Sequence, residues 1–331
     1  MKVKISEIKE TLVSVILAKS TLSQKESEIF ANDFLEGELQ GKNSHGLTAF
    51  LAFVPALGDK SQKFEIIKET DAFLYVDAHS TLGAIVGRQV TDLLLEKAKM
   101  QGTATAIIRN MKSWLRPAII SKYIAEYDCL SIVVNTGGPP MVAPPGGKEP
   151  VIGTNPIGIG IPSEDRQRPT VIDMATANRA WGEVRLAKSL QHKLPPNSFI
   201  DEEGAVTLDP DKAHAAIPFG GYKGFGLGLL IEILGGSLAD MPMGKGNPHE
   251  AYYNHTRGAA IFVINPEFTV GAEKFKKENK VFIDSIRNSA SASNTKVTIP
   301  GDRAAFNRNK HIREGYLEID DNLWKEIGRL K

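Results

Sequence analysis

From residue 72 onward the chain alternates short, β-rich apolar runs with amphipathic helical stretches, and this rhythm constrains the fold more than any other feature. Ala72-Phe73-Leu74-Tyr75-Val76 reads as a strand. Val86 to Met100 reads as a helix with Val90, Leu93, Leu94 and Ala98 inward, and Thr103 to Ile108 as a strand. Pro117 to Glu126 reads as a helix opened by proline, whose missing amide costs nothing in the first turn. Leu130 to Val134, Ile157 to Ile161, Thr170 to Ile172 and Gly258 to Ile264 supply further strands. Buried strands alternating with helices make an α/β fold. The two ends of the chain read differently. The first 40 residues give two helices, with Ile5, Ile8, Leu12, Val15 and Ile16 on the apolar face of the first. Residues 48–57 give a short third helix, and the segment after 265 is mainly helical apart from Val297-Thr298-Ile299-Pro300-Gly301.

Composition narrows the class. A chain of 331 residues suits one large domain or two ordinary ones. Its 42% hydrophobic and 24% charged content is that of a soluble globular protein. The formal net charge of +1 gives no global reason to expect nucleic acid. A single cysteine, Cys129, excludes an internal disulfide framework and suits a reducing compartment. The N-terminal stretch lacks the apolar core of a secretory signal, and no run approaches 18 apolar residues. The expectation is a soluble, cytoplasmic protein without a membrane partner.

One histidine stands out. Ser23 and Glu26 have the spacing of a capping box, which satisfies two orphan amides at a helix start. Ile29, Phe30, Phe34, Leu35 and Leu39 then form a helical stripe, and Gly41 suits a left-handed C-terminal cap. Ser44-His45-Gly46 follows at once. The carbonyl end of a helix favours an imidazolium by about 0.3–1 kcal/mol, so the sequence predicts a His45 protonated close to pH 7. The competing reading is a loop histidine that only packs and hydrogen-bonds.

Two glycine-rich stretches suggest further site elements. Thr136 to Gly153 carries Gly137-Gly138-Pro139-Pro140 and Pro144-Pro145-Gly146-Gly147, a stiff loop between apolar strands that reads as site-lining rather than as a linker. Gly220-Gly221-Tyr222-Lys223-Gly224-Phe225-Gly226 opens a helix expected to run past Leu234 to Leu238. Free amides beside Lys223 would suit a phosphate, and glycines packed on a sheet are the alternative. No G-x-G-x-x-G follows a strand, and Walker A, H-E-x-x-H and G-x-S-x-G patterns are missing. The seven histidines are scattered, so no metal is expected. Lys274 to Lys280 reads as a solvated charged helix face.

Taken in order, Ser44-His45-Gly46, Ala143-Pro144-Pro145-Gly146-Gly147, Gly153-Thr154-Asn155-Pro156, Asp173-Met174-Ala175-Thr176, Gly220 to Gly228 with Lys223, and Pro300-Gly301 resemble the malate/L-lactate dehydrogenase family that lacks the ordinary Rossmann fold. That family includes malate, sulfolactate and ureidoglycolate dehydrogenases, a 2,3-diketo-L-gulonate reductase and cyclic imino acid reductases. The resemblance implies a mixed-sheet α/β cofactor domain over residues 72–265. It implies a second, largely helical domain built from residues 1–71 and 266–331 and carrying the catalytic histidine. His45 becomes the proton donor. Val171, Ile172, Asp173, Met174, Ala175, Tyr222, Lys223, Gly301, Asp302 and Arg303 become contacts to NAD or NADP, with NAD preferred. A homodimer acting on a small anionic 2-oxo or 2-hydroxy acid is implied as well.

Two positions depart from the family pattern. An arginine often stands three residues after the histidine to grip a carboxylate; here it is Thr48. A histidine often closes an N-x-N-H stretch; here Asn110-Met111-Lys112-Ser113 ends in serine. Trp114-Leu115-Arg116 resembles the diketogulonate reductase branch, so Arg116 is expected to bind the anion beside Ser44 and Thr48, with Lys112 or Arg179 in reserve; a surface salt bridge is its other reading. Asp201 reads as an ordinary turn acid rather than as a partner for a histidine. The reaction expected is interconversion of a 2-oxo and a 2-hydroxy acid, the alternatives being reduction of a cyclic imine or binding without turnover.

Overall fold

The computed structural model describes residues 1–58, 63–112, 116–247, 256–292 and 295–331. Strand β1 (Lys2–Lys4) leads into helices α1 (Ile5–Lys19) and α2 (Gln24–Leu39). The capping box at Ser23 forms in full: its hydroxyl accepts from the Glu26 amide while its own amide donates to the Glu26 carboxylate at 2.9 Å. Helix α3 (Leu47–Phe53) follows the histidine turn. Phe30, Phe34, Phe50 and Phe53 pack edge to face, with ring centroids 5.0–5.3 Å apart for the close pairs, and Ile8, Leu12 and Ile16 close over them.

The sheet then builds in the order the sequence rhythm dictates, through β2 (Glu65–Thr70), β3 (Phe73–Asp77), α4 (Gly83–Gln101), β4 (Thr103–Lys112), α5 (Pro117–Glu126), β5 (Leu130–Asn135), β6 (Ile157–Ile161) and β7 (Thr170–Met174). An excursion adds α6 (Gly182–Leu190), the short pair β8 (Phe199–Ile200) and β9 (Ala215–Ala216), and α7 (Tyr222–Gly235). Strand β10 (Thr256–Ile264) returns to the centre of the sheet. The seven strands lie in the order β2-β3-β4-β10-β5-β6-β7. Only β3 and β4 run parallel, joined by the crossover helix α4; the other pairs are antiparallel, so the sheet is mixed as expected.

Strand alternation sorts the core into two layers. Leu74, Val76, Ala106, Ile108, Ile261 and Val263 face α4 and α5. Ile107, Val134, Ile157 and Ala260 face α7, which buries Ile231 there. The I-G-I-G-I sequence of β6 has a specific purpose: a Cβ at Gly158 or Gly160 would collide with the backbone of Pro117 or Ser121. Helix α5 can therefore lie directly on β6, and Arg116 at its head is fixed in place.

After the sheet come α8 (Ala272–Arg287), α9 (Asp302–Glu314), β11 (Tyr316–Glu318) and α10 (Asp321–Gly328). Strand β11 pairs antiparallel with β1, and Leu317, Ile319 and Ile327 join the core formed by α1, α2 and α3. The two ends of the chain thus share one apolar core.

Several local expectations need correction. Leu93 is not inward; it is 38% exposed on α4. Helix α7 stops at Gly235, and Leu238 falls in the separate turn Ser237–Ala239. Lys276 in the charged run of α8 is buried, ion-paired with Asp128 and Glu273. Strand β2 was not expected, because Glu65-Ile66-Ile67-Lys68-Glu69-Thr70 is a charged edge strand with little burial to pattern it. It precedes residue 72 and already belongs to the sheet. Among the described residues no helix is long and apolar enough to cross a membrane.

Candidate active site

His45 is held by the end of α2. Gly41 takes the left-handed conformation at φ 71°, and the chain then coils back through the turn Asn43–His45. The Lys42 amide donates to Gly37 O and the His45 amide to Lys42 O, both at 2.8 Å. A Cβ on Gly37 would collide with the His45 carbonyl, so only a bare backbone lets the turn close. The Leu47 amide donates to the Glu38 carboxylate at 2.7 Å, which anchors the far side of the turn. The His45 Nδ1 then lies 3.0 Å from Ser44 Oγ, in hydrogen-bond contact.

Three charged side chains surround the imidazole. Lys42 Nζ donates to Asp173 Oδ2 in an ion pair that ties the turn to β7. Arg116, only 6% exposed, donates from Nη1 to Asp33 O at 2.8 Å, lies 3.7 Å from the Asp33 carboxylate, and reaches Gln40 Oε1 at 3.5 Å. Burial first, and then the charges of Arg116 and Lys42, push the His45 imidazole down to about 4, with Asp173 opposing. The expected imidazolium near pH 7 is therefore overturned in the ligand-free protein. A helix-end attraction of about 0.3–1 kcal/mol is too weak to offset burial beside two cations. Burial works to raise the Asp173 carboxyl, but Lys42 and Arg116 outweigh it and hold it below its usual range.

The residues singled out for the cofactor converge from three distant parts of the chain. Val171, Ile172, Asp173 and Met174 lie on β7, and Ala175 follows. Just beyond, the Phe219 amide donates to Thr176 O at 3.0 Å and Ala177 bridges Pro218, which brings the start of α7 to the end of β7. Tyr222 and Lys223 are exposed on the first turn of α7, after Gly220 and Gly221 with φ of 57° and 64°. Gly301, the left-handed cap of α9, lies against the Val171 carbonyl. Asp302 beside it is engaged by Arg287 at 2.7 Å and by the Ile299 amide at 3.0 Å; Arg303 is exposed.

The free amides expected at the start of α7 are largely taken up by its own turn: Gly221 donates to Pro218 O, Lys223 to Gly220 O and Gly224 to Phe219 O, which leaves the exposed Lys223 side chain as the group there suited to a phosphate. Pro144, Pro145, Gly146 and Gly147 wall a cleft of about 470 Å³ whose other side includes Pro218 and Gly221.

The remaining expectations divide. Thr48 is exposed on the first turn of α3. Arg116 is not a surface salt bridge; it is a buried charge. Lys112 is occupied by Ala56 O at 2.6 Å, and Arg179 lies 3.7 Å from Glu183 on the surface. Asp201 accepts from the amides of Glu203 and Ala205, as a turn acid does. Ser113, Trp114 and Leu115 lie outside the described residues. The residue that sequence reasoning missed is Lys42. Its only signal was its place in the loop before Ser44, since its partner Asp173 is 131 positions away. No group of three or more metal-ligating side chains occurs among the described residues.

Comparisons with known proteins bear on the family and the fold. The profile of the family described as malate/L-lactate dehydrogenase matches residues 3–328. The chain is 34% identical to the L-sulfolactate dehydrogenase of Methanocaldococcus jannaschii, over 97% of this chain and 94% of that protein. It is 32% identical to the malate/(S)-sulfolactate dehydrogenase of Methanothermus fervidus, over 97% of this chain and 95% of that protein. The solved structure of the Methanocaldococcus jannaschii sulfolactate dehydrogenase superimposes with a TM-score of 0.90 at 31% identity, covering 100% of this chain and 96% of the other. A dehydrogenase of this kind acts on hydroxy acids and implies a nicotinamide cofactor, and the chain belongs to the malate/L-lactate dehydrogenase family.

Proposed function

We propose that this enzyme interconverts a small anionic 2-oxo acid and its 2-hydroxy acid with NAD or NADP, NAD being preferred, and that His45 moves the proton. The observation that carries the reading is the Lys42–Asp173 ion pair, which brings the turn holding His45 to β7, the strand that meets α7 at one end and the cap of α9 at the other. In this reading residues 72–265 bind the cofactor, and residues 1–71 with 266–331 carry the histidine. Val171 to Ala175, Tyr222, Lys223 and Gly301 to Arg303 hold the dinucleotide, while Ser44, Thr48 and Arg116 border the substrate.

The nicotinamide supplies hydride to the carbonyl carbon, or accepts it in the reverse direction. The chain's own residues handle the proton and the charge. A carbonyl oxygen within hydrogen-bond reach of the His45 ring takes its proton as charge develops there, and in the oxidative direction neutral His45 accepts the hydroxyl proton. Ser44 Oγ on Nδ1 orients the ring. Asp173 stabilises the imidazolium, while buried Arg116 supplies fixed positive charge that favours an anionic substrate.

A second reading draws on the neutral His45. A cyclic imine can arrive with its nitrogen already protonated, and its reduction then asks no proton of the histidine. A homodimer is supported by the outward face of α7, where Leu229, Leu230 and Ile233 are exposed together. A reducing, cytoplasmic setting is supported by the single buried thiol, Cys129.

The test is a spectrophotometric panel of NADH and NADPH against 2-oxo acids, sugar acids and cyclic imines. Turnover of a 2-oxo acid is expected, and His45→Ala should lower it by about 10²–10⁴-fold with cofactor affinity unchanged. Full turnover in that variant would sink the role given to His45. Turnover of imines alone would favour the second reading.

A further inference from the structure

Of the two cations whose charges act on His45, Arg116 and Lys42, it is Lys42 whose geometry allows it to change partners. Arg116 is buried, with its guanidinium already committed to the Asp33 carbonyl, the Asp33 carboxylate and Gln40. Lys42 is half-buried on the loop between α2 and the histidine turn, and its ammonium has three N–H donors, of which the pair with Asp173 uses one. Thr48, where a carboxylate-gripping arginine is usual, is short and uncharged. An acid reduced at its 2-carbon carries its carboxylate one bond from the reacting carbonyl. A cation beside His45 therefore stands where that carboxylate must come.

We propose that Lys42 is the substrate-carboxylate residue of this enzyme, and that it exchanges its ion pair with Asp173 for one with the substrate, so that the substrate's arrival readies His45 to hold a proton. This rests on the proton-donor reading of His45. In the free protein Lys42 neutralises Asp173 and adds its own positive charge near the imidazole, and both effects favour neutral His45. When a carboxylate draws the ammonium to itself, Asp173 faces the imidazole unscreened and a second anion stands close by. Opposite charge within about 4–6 Å favours the charged form of a histidine. His45 then takes up its proton where it is used, and without substrate it stays neutral.

None of the other charged groups around the histidine is ion-paired with Asp173 among the described residues. On α2, Glu38 is tied to the Leu47 amide. Helix α6, whose Gly182 lies beside Ser44, carries Glu183, which faces Arg179, and the exposed Arg185. On α9, His311 faces the Leu39 carbonyl at 3.0 Å. Asp173 is the anion that Lys42 and His45 share.

The test compares wild type, Lys42→Gln and Lys42→Arg, each checked for native circular dichroism. Imidazole NMR titration of the ligand-free protein, with the His45 signal assigned from a His45→Gln variant, should show the midpoint rising by about one unit or more in Lys42→Gln and returning toward wild type in Lys42→Arg. Steady-state kinetics with the 2-oxo acid found active should show KM rising about tenfold or more in Lys42→Gln, with a smaller change in kcat. KM for the corresponding uncharged 2-oxo amide should not change. An unmoved midpoint, or an unmoved KM for the acid, overturns the proposal. So does an equal loss on acid and amide, which would mark Lys42 as merely structural. Because the titration needs no turnover, it fails independently of the His45→Ala result.

Discussion

Asn155 and Glu232 form a buried hydrogen bond of 2.7 Å that clamps the Gly153-Thr154-Asn155-Pro156 stretch to the middle of α7. Asn155 also donates to the Gly228 carbonyl and accepts from the Gly137 amide, both at 2.8 Å, and Glu232 accepts from the Gly244 amide at 2.7 Å. Four segments of the cofactor side are thereby joined by two side chains. Asn155→Ala removes one donor from the buried Glu232 carboxylate, another from the Gly228 carbonyl, and the acceptor from the buried Gly137 amide. It should lower stability by about 2–4 kcal/mol, read as a lower urea midpoint at unchanged m-value.

The depressed His45 imidazole links folding to pH. The folded protein holds this histidine near pKa 4, whereas an unfolded one titrates near 6.5. Between those values the unfolded chain binds the extra proton, so stability falls as pH drops from about 6.5 toward 4. Above pH 7 the term vanishes. His45→Gln should therefore lose less stability than wild type between pH 7 and pH 5, as measured by urea unfolding at the two values. Equal losses would show that the imidazole titrates normally.

Gly37 tests whether the histidine turn must be closed. Its substitution by alanine forces a Cβ into the His45 carbonyl. Overpacking of this kind costs about 1–3 kcal/mol, and a displacement of about 1 Å at a catalytic group can cost about 10²-fold in rate. Gly37→Ala should thus reduce kcat far more than it reduces cofactor affinity. Parallel measurement of kcat and NADH binding decides it.

The exposed α7 face gives a test of assembly. Leu229, Leu230 and Ile233 are 46%, 51% and 44% exposed on adjacent turns. A charge at the centre of a pairing face is strongly disfavoured. Leu230→Asp should move the sedimentation coefficient from dimer to monomer with the circular dichroism spectrum preserved. A wild type that sediments as a monomer would remove the dimer from the proposed function.

The elements were legible where burial imposes a period. Phe30, Phe34 and Leu39 recur at helical spacing because α2 lies on one core, and the strands from Leu130 and Ile157 showed as short apolar runs. Strand β2 hid because an edge strand of exposed charges has no buried face to mark it. The end of α7 was overrun because Leu238 continues the apolar stripe past Gly236, where the backbone leaves the helix. Lys276 was misplaced because its partner, the half-buried Asp128, is distant in sequence.

The sequence by itself determined the α/β class and the turn that presents His45, because capping, periodicity and local glycine chemistry act over a few residues; the mixed sheet and the family came from the resemblance its ordered motifs carry. Only the tertiary structure decided the charge state of that histidine. Arg116 comes from the head of α5, Asp173 from β7 and Lys42 from the loop after α2. Coulomb energy and desolvation depend on distance and depth, and neither can be read along a chain. The local helix end favours a protonated His45; burial beside two cations makes it neutral.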